Sequence, residues 1–190
     1  ERLMCIRDSS KGVPNQQIIL TGHSCGGLLT LMFLSAHTEK VGGGISYMQA
    51  CFGKLSTKYK VKKVGPEDAM SNFAKKYPGP AELRERQINN IKQSNNVPVL
   101  AFTHPKDKWE GLLSDWLEEV PGVKRIVISE DYTINGKSCV VKGDNWQENI
   151  SARKNPGHEM NQGLCFQYYN PLILEYIAHA NKMKIEGKQY

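Results

Sequence analysis

Short apolar runs recur along the chain and are separated by longer stretches with helical spacing. The runs lie at Gln17–Thr21, Ile45–Met48, Val97–Phe102 and Val123–Ser129, and Gly22 ends the first of them. A short apolar run bounded by turn residues is typical of a strand that is buried on both faces of a parallel sheet. The pattern therefore predicts four buried strands.

Helices are predicted between and after these strands. The stretches with helical character are Leu28–Ala36, Pro66–Lys76, the segment after Pro80, Trp109–Glu119 and a terminal segment that begins at Pro171. Asn135–Gly136 also predicts a hairpin turn within residues 131–150. Regular alternation of strands and helices indicates an α/β protein with a mostly parallel, doubly wound sheet and flanking helices.

The length and composition fit one domain. The chain has 190 residues, of which 39% are hydrophobic and 23% charged, as is ordinary for a globular domain. We expect residues 10–190 to form a single domain in which the polar, basic segment 53–96 is a lid or pocket wall. No run approaches the roughly 18 to 20 apolar residues of a membrane-spanning helix, so no membrane span is predicted.

The net charge of +6 draws attention to a basic run. It consists of Lys54, Lys58, Lys60, Lys62 and Lys63. A nucleic-acid surface would show a recognisable motif or interleaved aromatic residues, and this run has neither. We interpret it as a solvated, mobile connecting segment and expect no nucleic-acid partner.

The five cysteines, Cys5, Cys25, Cys51, Cys139 and Cys165, form no C-x-x-C pair. This spacing argues against a zinc ribbon or a thioredoxin-like motif. Cys139 and Cys165 could pair in an exported protein, and the sequence leaves that open. Cys25 is interpreted as a small apolar residue.

The first residues look foreign to the rest of the chain. Met4–Ser9 matches the translation of a transposon end that is used to build sequencing libraries. We therefore expect residues 1–9 to be non-native and the chain to be truncated at its N-terminal side.

Gly22-His23-Ser24-Cys25-Gly26 matches the G-x-S-x-G pattern and lies between a predicted strand and a predicted helix. This placement is the one that a nucleophilic serine requires, because a sharp strand-to-helix turn exposes its hydroxyl. Ser24 is the candidate nucleophile. The backbone N–H of Cys25 is the candidate oxyanion-hole donor, aided by the positive end of the following helix. The alternative is a glycine-rich structural turn.

A serine nucleophile needs a base, and the base needs an orienting acid. His158 lies in a loop between the last strand and the final helix and is the candidate base, whereas His23, His37, His104 and His179 are placed less suitably. Asp107 follows the third strand and is the candidate acid. Asp131 and Glu110 remain alternatives, in that order.

The elbow, the acid loop and the histidine loop together resemble the α/β-hydrolase superfamily, in particular its dienelactone-hydrolase-like and small serine esterase branches. The matching segments are Ile18–Gly27, Val97–Asp107 and Asn155–His158. The resemblance implies a carboxylesterase-like serine hydrolase that acts on a small acyl substrate through an acyl-enzyme, without a metal or organic cofactor. The alternative is a non-catalytic domain of the same fold that binds a ligand or partner.

Three departures from the family pattern matter. Dienelactone hydrolases proper have cysteine where Ser24 stands, and His104 replaces a glycine before the acid. Family members also have strands before the elbow, whose loop supplies a second oxyanion N–H. We therefore expect residues 11–190 alone to be unstable and inactive.

Overall fold

The computed structural model describes residues 12–129, 133–134, 137–138, 155–160 and 164–185. The predicted non-native segment 1–9, the alternative acid Asp131 and Cys139 lie outside these residues, as does the side chain of Cys165. The expectations attached to them stay predictions.

Four parallel strands form the sheet, in the order β1-β2-β3-β4. They are β1 (Ile19–His23), β2 (Gly43–Tyr47), β3 (Val99–Thr103) and β4 (Val123–Val127). All four predicted strands are confirmed, with ends shifted by up to two residues. A separate antiparallel pair, β5 (Thr133–Ile134) and β6 (Lys137–Ser138), confirms the predicted hairpin.

Six α-helices accompany the strands in the described residues. They are α1 (Cys25–Ala36), α2 (Leu55–Lys58), α3 (Val61–Val64), α4 (Pro66–Lys76), α5 (Pro78–Lys92) and α6 (Asn170–Ile185). Short 3₁₀ turns lie at Asn15–Gln17, Thr38–Lys40, Gly111–Leu113, Asp115–Glu119 and Leu164–Tyr169. In this part of the chain no helix is both long and apolar enough to cross a membrane.

The core lies on both faces of the sheet, and β3 shows why. Every residue of β3 is buried. Val99 and Ala101 pack in a cluster with α1 and α5, whereas Leu100 and Phe102 pack on the opposite side in a cluster with Tyr176 of α6. Successive side chains of a strand point to opposite faces, so an apolar run is what a sheet covered on both faces requires.

Two predictions are corrected by the fold. Trp109–Glu119 is not one amphipathic helix but two 3₁₀ turns. A Cβ atom on Gly111 would lie 2.9 Å from the Pro105 carbonyl oxygen, so the chain packs here at a distance that only glycine permits.

The second correction concerns the basic run. Its lysines are exposed, as predicted. However, residues 55–58 and 61–64 are helical and not an irregular connection. Leu55 and Val61 are buried in a cluster with Phe73, and this apolar contact fixes the two short helices against α4.

Candidate active site

The turn between β1 and α1 holds Ser24 in an unusual backbone conformation. Ser24 caps α1 with φ 58° and ψ −125°, a combination that non-glycine residues rarely adopt and that costs on the order of 1–3 kcal/mol. The predicted strained turn is therefore confirmed. The backbone N–H of Ser24 donates to the Tyr47 carbonyl, and its own carbonyl accepts from the Ala50 N–H, so the segment after β2 fixes the turn.

Glycine is required at two of the three positions around this turn. A Cβ atom on Gly22 would overlap the carbonyl of Gly26, and a Cβ on Gly27 would lie 2.8 Å from the Ser46 hydroxyl. A Cβ on Gly26 would meet nothing within 4 Å. The close approach of α1 to β1 and β2 therefore depends on Gly22 and Gly27, whereas position 26 has room for a Cβ atom.

The histidine loop and the acid loop meet next to this turn. Nδ1 of His158 lies 2.8 Å from Oδ2 of Asp107, and the two side chains are 1% and 3% exposed. A Cβ on Gly157 would lie 2.7 Å from the Asp107 backbone nitrogen, so glycine at 157 lets the loops touch. The structure thus brings the predicted base and the predicted acid into direct contact.

Asp107 has further hydrogen bonds on its other oxygen. Oδ1 accepts from the Trp109 backbone N–H at 2.9 Å and from the Asn155 side-chain amide at 2.9 Å. The side-chain oxygen Oδ1 of Asn155 accepts in turn from the Lys108 backbone N–H. These donors fix the carboxylate so that its second oxygen faces the imidazole.

Two aromatic rings flank His158. The Trp109 ring centroid lies 4.2 Å from that of His158, and the His23 ring centroid lies 4.7 Å from it. Nε2 of His23 lies 2.7 Å from the His158 carbonyl oxygen. Because His23 precedes Ser24, these contacts place the imidazole beside the residue before the candidate nucleophile. Sequence reasoning missed Asn155, Trp109 and His23, since their roles depend on contacts between distant loops.

The free atom of this arrangement is Nε2 of His158. It is buried and has no hydrogen-bond partner among the described residues. The Ser24 hydroxyl donates instead to the Ala50 carbonyl oxygen at 3.2 Å. Catalytic hydrogen bonds are often formed only in the substrate complex, and rotation of the Ser24 side chain would release its hydroxyl from Ala50.

The alternative acid Glu110 has a different partner. Its carboxylate accepts two hydrogen bonds from the Arg84 guanidinium, and both residues are buried. Burial raises the pKa of Glu110, against the opposing effect of Arg84. Its hydrogen bonds therefore commit Glu110 to Arg84 rather than to the histidine loop.

Cys25 is not the small, unbonded apolar residue that the sequence suggested. It forms a disulfide with Cys51, 26 residues further along the chain, and it is exposed. Its backbone still begins α1, where the first N–H groups have no acceptor within the helix. The predicted oxyanion donor thus lies at the helix end next to Ser24, and the disulfide fastens it to the segment after β2.

Among the residues that the structure describes, one group of side chains could hold a metal ion. Candidate ligand atoms of His23, His158 and Glu159 lie within 4.8 Å of one another. Since Asp107 occupies Nδ1 of His158, a metal would have to bind Nε2. That is the same atom that would accept a proton from a serine, so the two uses exclude each other.

Several solved structures are similar to this chain. They include the thioesterase domain from the curacin biosynthetic pathway, with 16% identity, a TM-score of 0.38 and coverage of 67% of this chain and 63% of that one. An esterase from Rhizomucor miehei has 16% identity, a TM-score of 0.44 and coverage of 88% and 58%. The serine hydrolase CCSP0084 from Cycloclasticus zankles has 15% identity, a TM-score of 0.37 and coverage of 65% and 59%.

The chain spans about three fifths of the length of these three proteins. No protein-family model matches the sequence, and no curated protein is significantly similar to it. Substrate and mechanism must therefore be argued from the residues of this chain. The order of its parallel strands, with α1 directly after β1 and helices on both faces of the sheet, gives the described part of the chain a three-layer α/β fold.

Proposed function

We propose that this protein is a serine hydrolase that acts on an ester or a related acyl substrate. The observation that supports this most strongly is the buried Asp107–His158 pair, whose free Nε2 lies in the loop beside the strained Ser24 turn. A buried imidazole oriented by a carboxylate is what a general base requires.

The mechanism follows from these positions. Nε2 of His158 would take the Ser24 proton while Oγ of Ser24 attacks the acyl carbonyl. Asp107 would hold the imidazole and stabilise its protonated form. The Cys25 N–H would donate to the oxyanion. His158 would then protonate the departing alcohol, and water activated by the same histidine would release the acid from Ser24.

The segment 53–96 would shape the substrate pocket. It contains α2, α3, α4 and α5, which follow β2 and precede β3. Insertions that border a site between two strands of a rigid sheet commonly determine specificity. The proposed acyl-enzyme chemistry is the same whether the acyl group is bound through oxygen or through sulfur.

Labelling by a fluorophosphonate probe tests the proposal. The account predicts one covalent adduct on Ser24, lost in Ser24→Ala and strongly slowed in His158→Ala. Ser35→Ala is the matched control, since this serine lies in α1 away from the turn and donates to Met32, and it should label normally.

The second candidate is a non-catalytic binding domain of the same fold. The observation in its favour is the Ser24–Ala50 hydrogen bond, which leaves the hydroxyl turned away from His158. A folded protein that shows no labelling at Ser24 would favour this candidate.

A further inference from the structure

A cavity of about 650 Å³ lies beside the candidate site. Its wall is mostly apolar and aromatic, formed by Phe52, Leu55, Tyr59, Phe73, Tyr77 and Leu83. Sites for small organic molecules are usually concave, mostly apolar and about 300–1,000 Å³ in volume. The cavity therefore has the size and surface of a small-molecule site.

One residue of the cavity wall is linked to the Ser24 turn. The hydroxyl of Ser24 donates to the Ala50 carbonyl, and the next residue, Cys51, lines the cavity. The Cys25–Cys51 disulfide joins this part of the wall to the residue after Ser24. This part of the cavity wall is therefore held close to the Ser24 turn.

The wall is also fixed to the acid loop. The backbone N–H groups of Ser56 and Thr57, in α2, donate to the carbonyls of Trp109 and Lys108 at 2.7 and 3.1 Å. Asp107 immediately precedes these two residues. The helix that carries Lys58 therefore has a set position relative to the Asp107–His158 pair.

The charged side chains that line the cavity are positive. Among the described residues that line the cavity, the charged side chains are Lys54 and Lys58, and none is acidic. The Lys58 ammonium donates to the Tyr77 hydroxyl at 3.3 Å and lies 5.0 Å from the centroid of the Tyr77 ring. This ammonium lowers the pKa of Tyr77. An ammonium has three donors, so others remain for a ligand.

Resting on the proposed function, we propose that this cavity binds the acyl group of the substrate and that this group is flat and apolar and has a carboxylate held by Lys58. The aromatic wall provides contact for a flat ring. The ammonium provides a charge-assisted hydrogen bond for an acidic group. An aromatic acyl group with a second carboxylate satisfies both.

Two chromogenic esters that differ only in this carboxylate test the proposal: 4-nitrophenyl benzoate and 4-nitrophenyl 4-carboxybenzoate. Their kcat/KM values are measured for the protein, for Lys58→Met and for Lys63→Met. Lys63 is the matched control, because it is an exposed lysine of α3 that does not line the cavity. Both variants lose the same charge, so a general effect of net charge would appear in both.

We expect Lys58→Met to lower kcat/KM for the carboxybenzoate about 5- to 10-fold, as for loss of a charge-assisted hydrogen bond at a partly exposed site. The benzoate value should stay within about twofold, which also reports correct folding, and Lys63→Met should change neither. Added salt should weaken the preference of the unmodified protein only while Lys58 is present. Equal losses on both esters, equal effects of the two variants, or no preference for the carboxybenzoate would overturn the proposal.

A direct binding measurement separates this proposal from the hydrolase assignment. Binding of 4-carboxybenzamide, which has the same acyl part but is not readily cleaved, is measured calorimetrically on Ser24→Ala and on Ser24→Ala/Lys58→Met. Weaker binding by the double variant supports the cavity proposal, whether or not the esters are cleaved. Absence of ester cleavage and of Ser24 labelling would contradict only the proposed function. Equal binding by the two variants contradicts the cavity proposal whatever the activity.

Discussion

At the scale of single residues, the site depends on how His158 is held. Asp107 binds Nδ1 of His158. The ring centroids of Trp109 and His23 lie 4.2 and 4.7 Å from the centroid of the His158 ring. An imidazole fixed in this way has one tautomer and one orientation, with Nε2 available. The carboxylate of Asp107 is itself fixed by Asn155 and by the Trp109 backbone N–H, so the orientation of the His158 imidazole also depends on these two residues.

Replacing the acid tests this arrangement. Asp107→Asn should retain the fold and reduce kcat by about 10⁴-fold, because the amide favours the wrong tautomer of the imidazole. The measurement is steady-state hydrolysis of a chromogenic ester. Asp115→Asn is the control, since its carboxylate is 73% exposed and pairs with Arg125, and its kcat should not change. Near-normal turnover of Asp107→Asn would transfer the role of the acid to another residue such as Asp131.

A residue of the candidate site could be predicted from the sequence only where its place in the alternation of strands and helices indicates it. Ser24, Asp107 and His158 each follow a strand, and parallel strands end at the same edge of a sheet. Asn155, Trp109 and the Cys25–Cys51 disulfide depend on how loops from different parts of the chain meet. The spacing of these residues along the sequence does not show which loops meet in the fold.

At the scale of the element, the turn from β1 into α1 depends on two glycines. Gly22 faces the carbonyl of Gly26, whereas Gly27 faces Ser46 and Tyr47 on β2. This close approach lets the N-terminal end of α1 lie over the end of the strand, where its unpaired N–H groups and positive end face the site.

The two glycines of the motif should respond differently to the same substitution. Gly22→Ala should lower the free energy of unfolding by about 2 kcal/mol or more, because the added methyl group meets backbone that has little room to move. Gly26→Ala should change it by less than about 1 kcal/mol, since the position is open and helical. Urea unfolding followed by circular dichroism measures both. Equal effects would mean that the turn tolerates a Cβ at either position.

The helices and strands could be predicted where the local sequence pattern alone determines the structure. The four strands and the helix Pro66–Lys76 agree with the sequence, because an apolar run bounded by turn residues and a stretch with helical spacing are local signals. Trp109–Glu119 has helical spacing but forms 3₁₀ turns. There the close packing of Gly111 against Pro105 and the pairing of Glu110 with Arg84 outweigh the local pattern.

At the scale of the whole molecule, the disulfide joins the site to the insertion. It connects the first residue of α1 to the segment that leads from β2 into α2. That segment contributes Cys51 and Phe52 to the cavity wall and Ala50 to the Ser24 turn. The disulfide therefore links the end of α1, next to Ser24, covalently to the cavity wall.

Removing this connection should lower stability. Closing a loop of 26 residues restricts the unfolded chain by about 3 kcal/mol in the chain-entropy account. The double variant Cys25→Ala/Cys51→Ala should therefore unfold at a lower urea concentration than the oxidised protein. Reductant should lower the midpoint of the unmodified protein to that of the variant and leave the variant unchanged. A midpoint that does not depend on the disulfide would contradict this account.

The central claim is that Ser24 carries the acyl group during the reaction. The most direct measurement is acid quenching during turnover of a slowly hydrolysed 4-nitrophenyl ester, followed by digestion and mass spectrometry. The account predicts one acylated peptide, with the added mass on Ser24, that is absent from Ser24→Ala and accumulates slowly in His158→Ala. Turnover with the acyl group on another residue, or without any covalent intermediate, would contradict it.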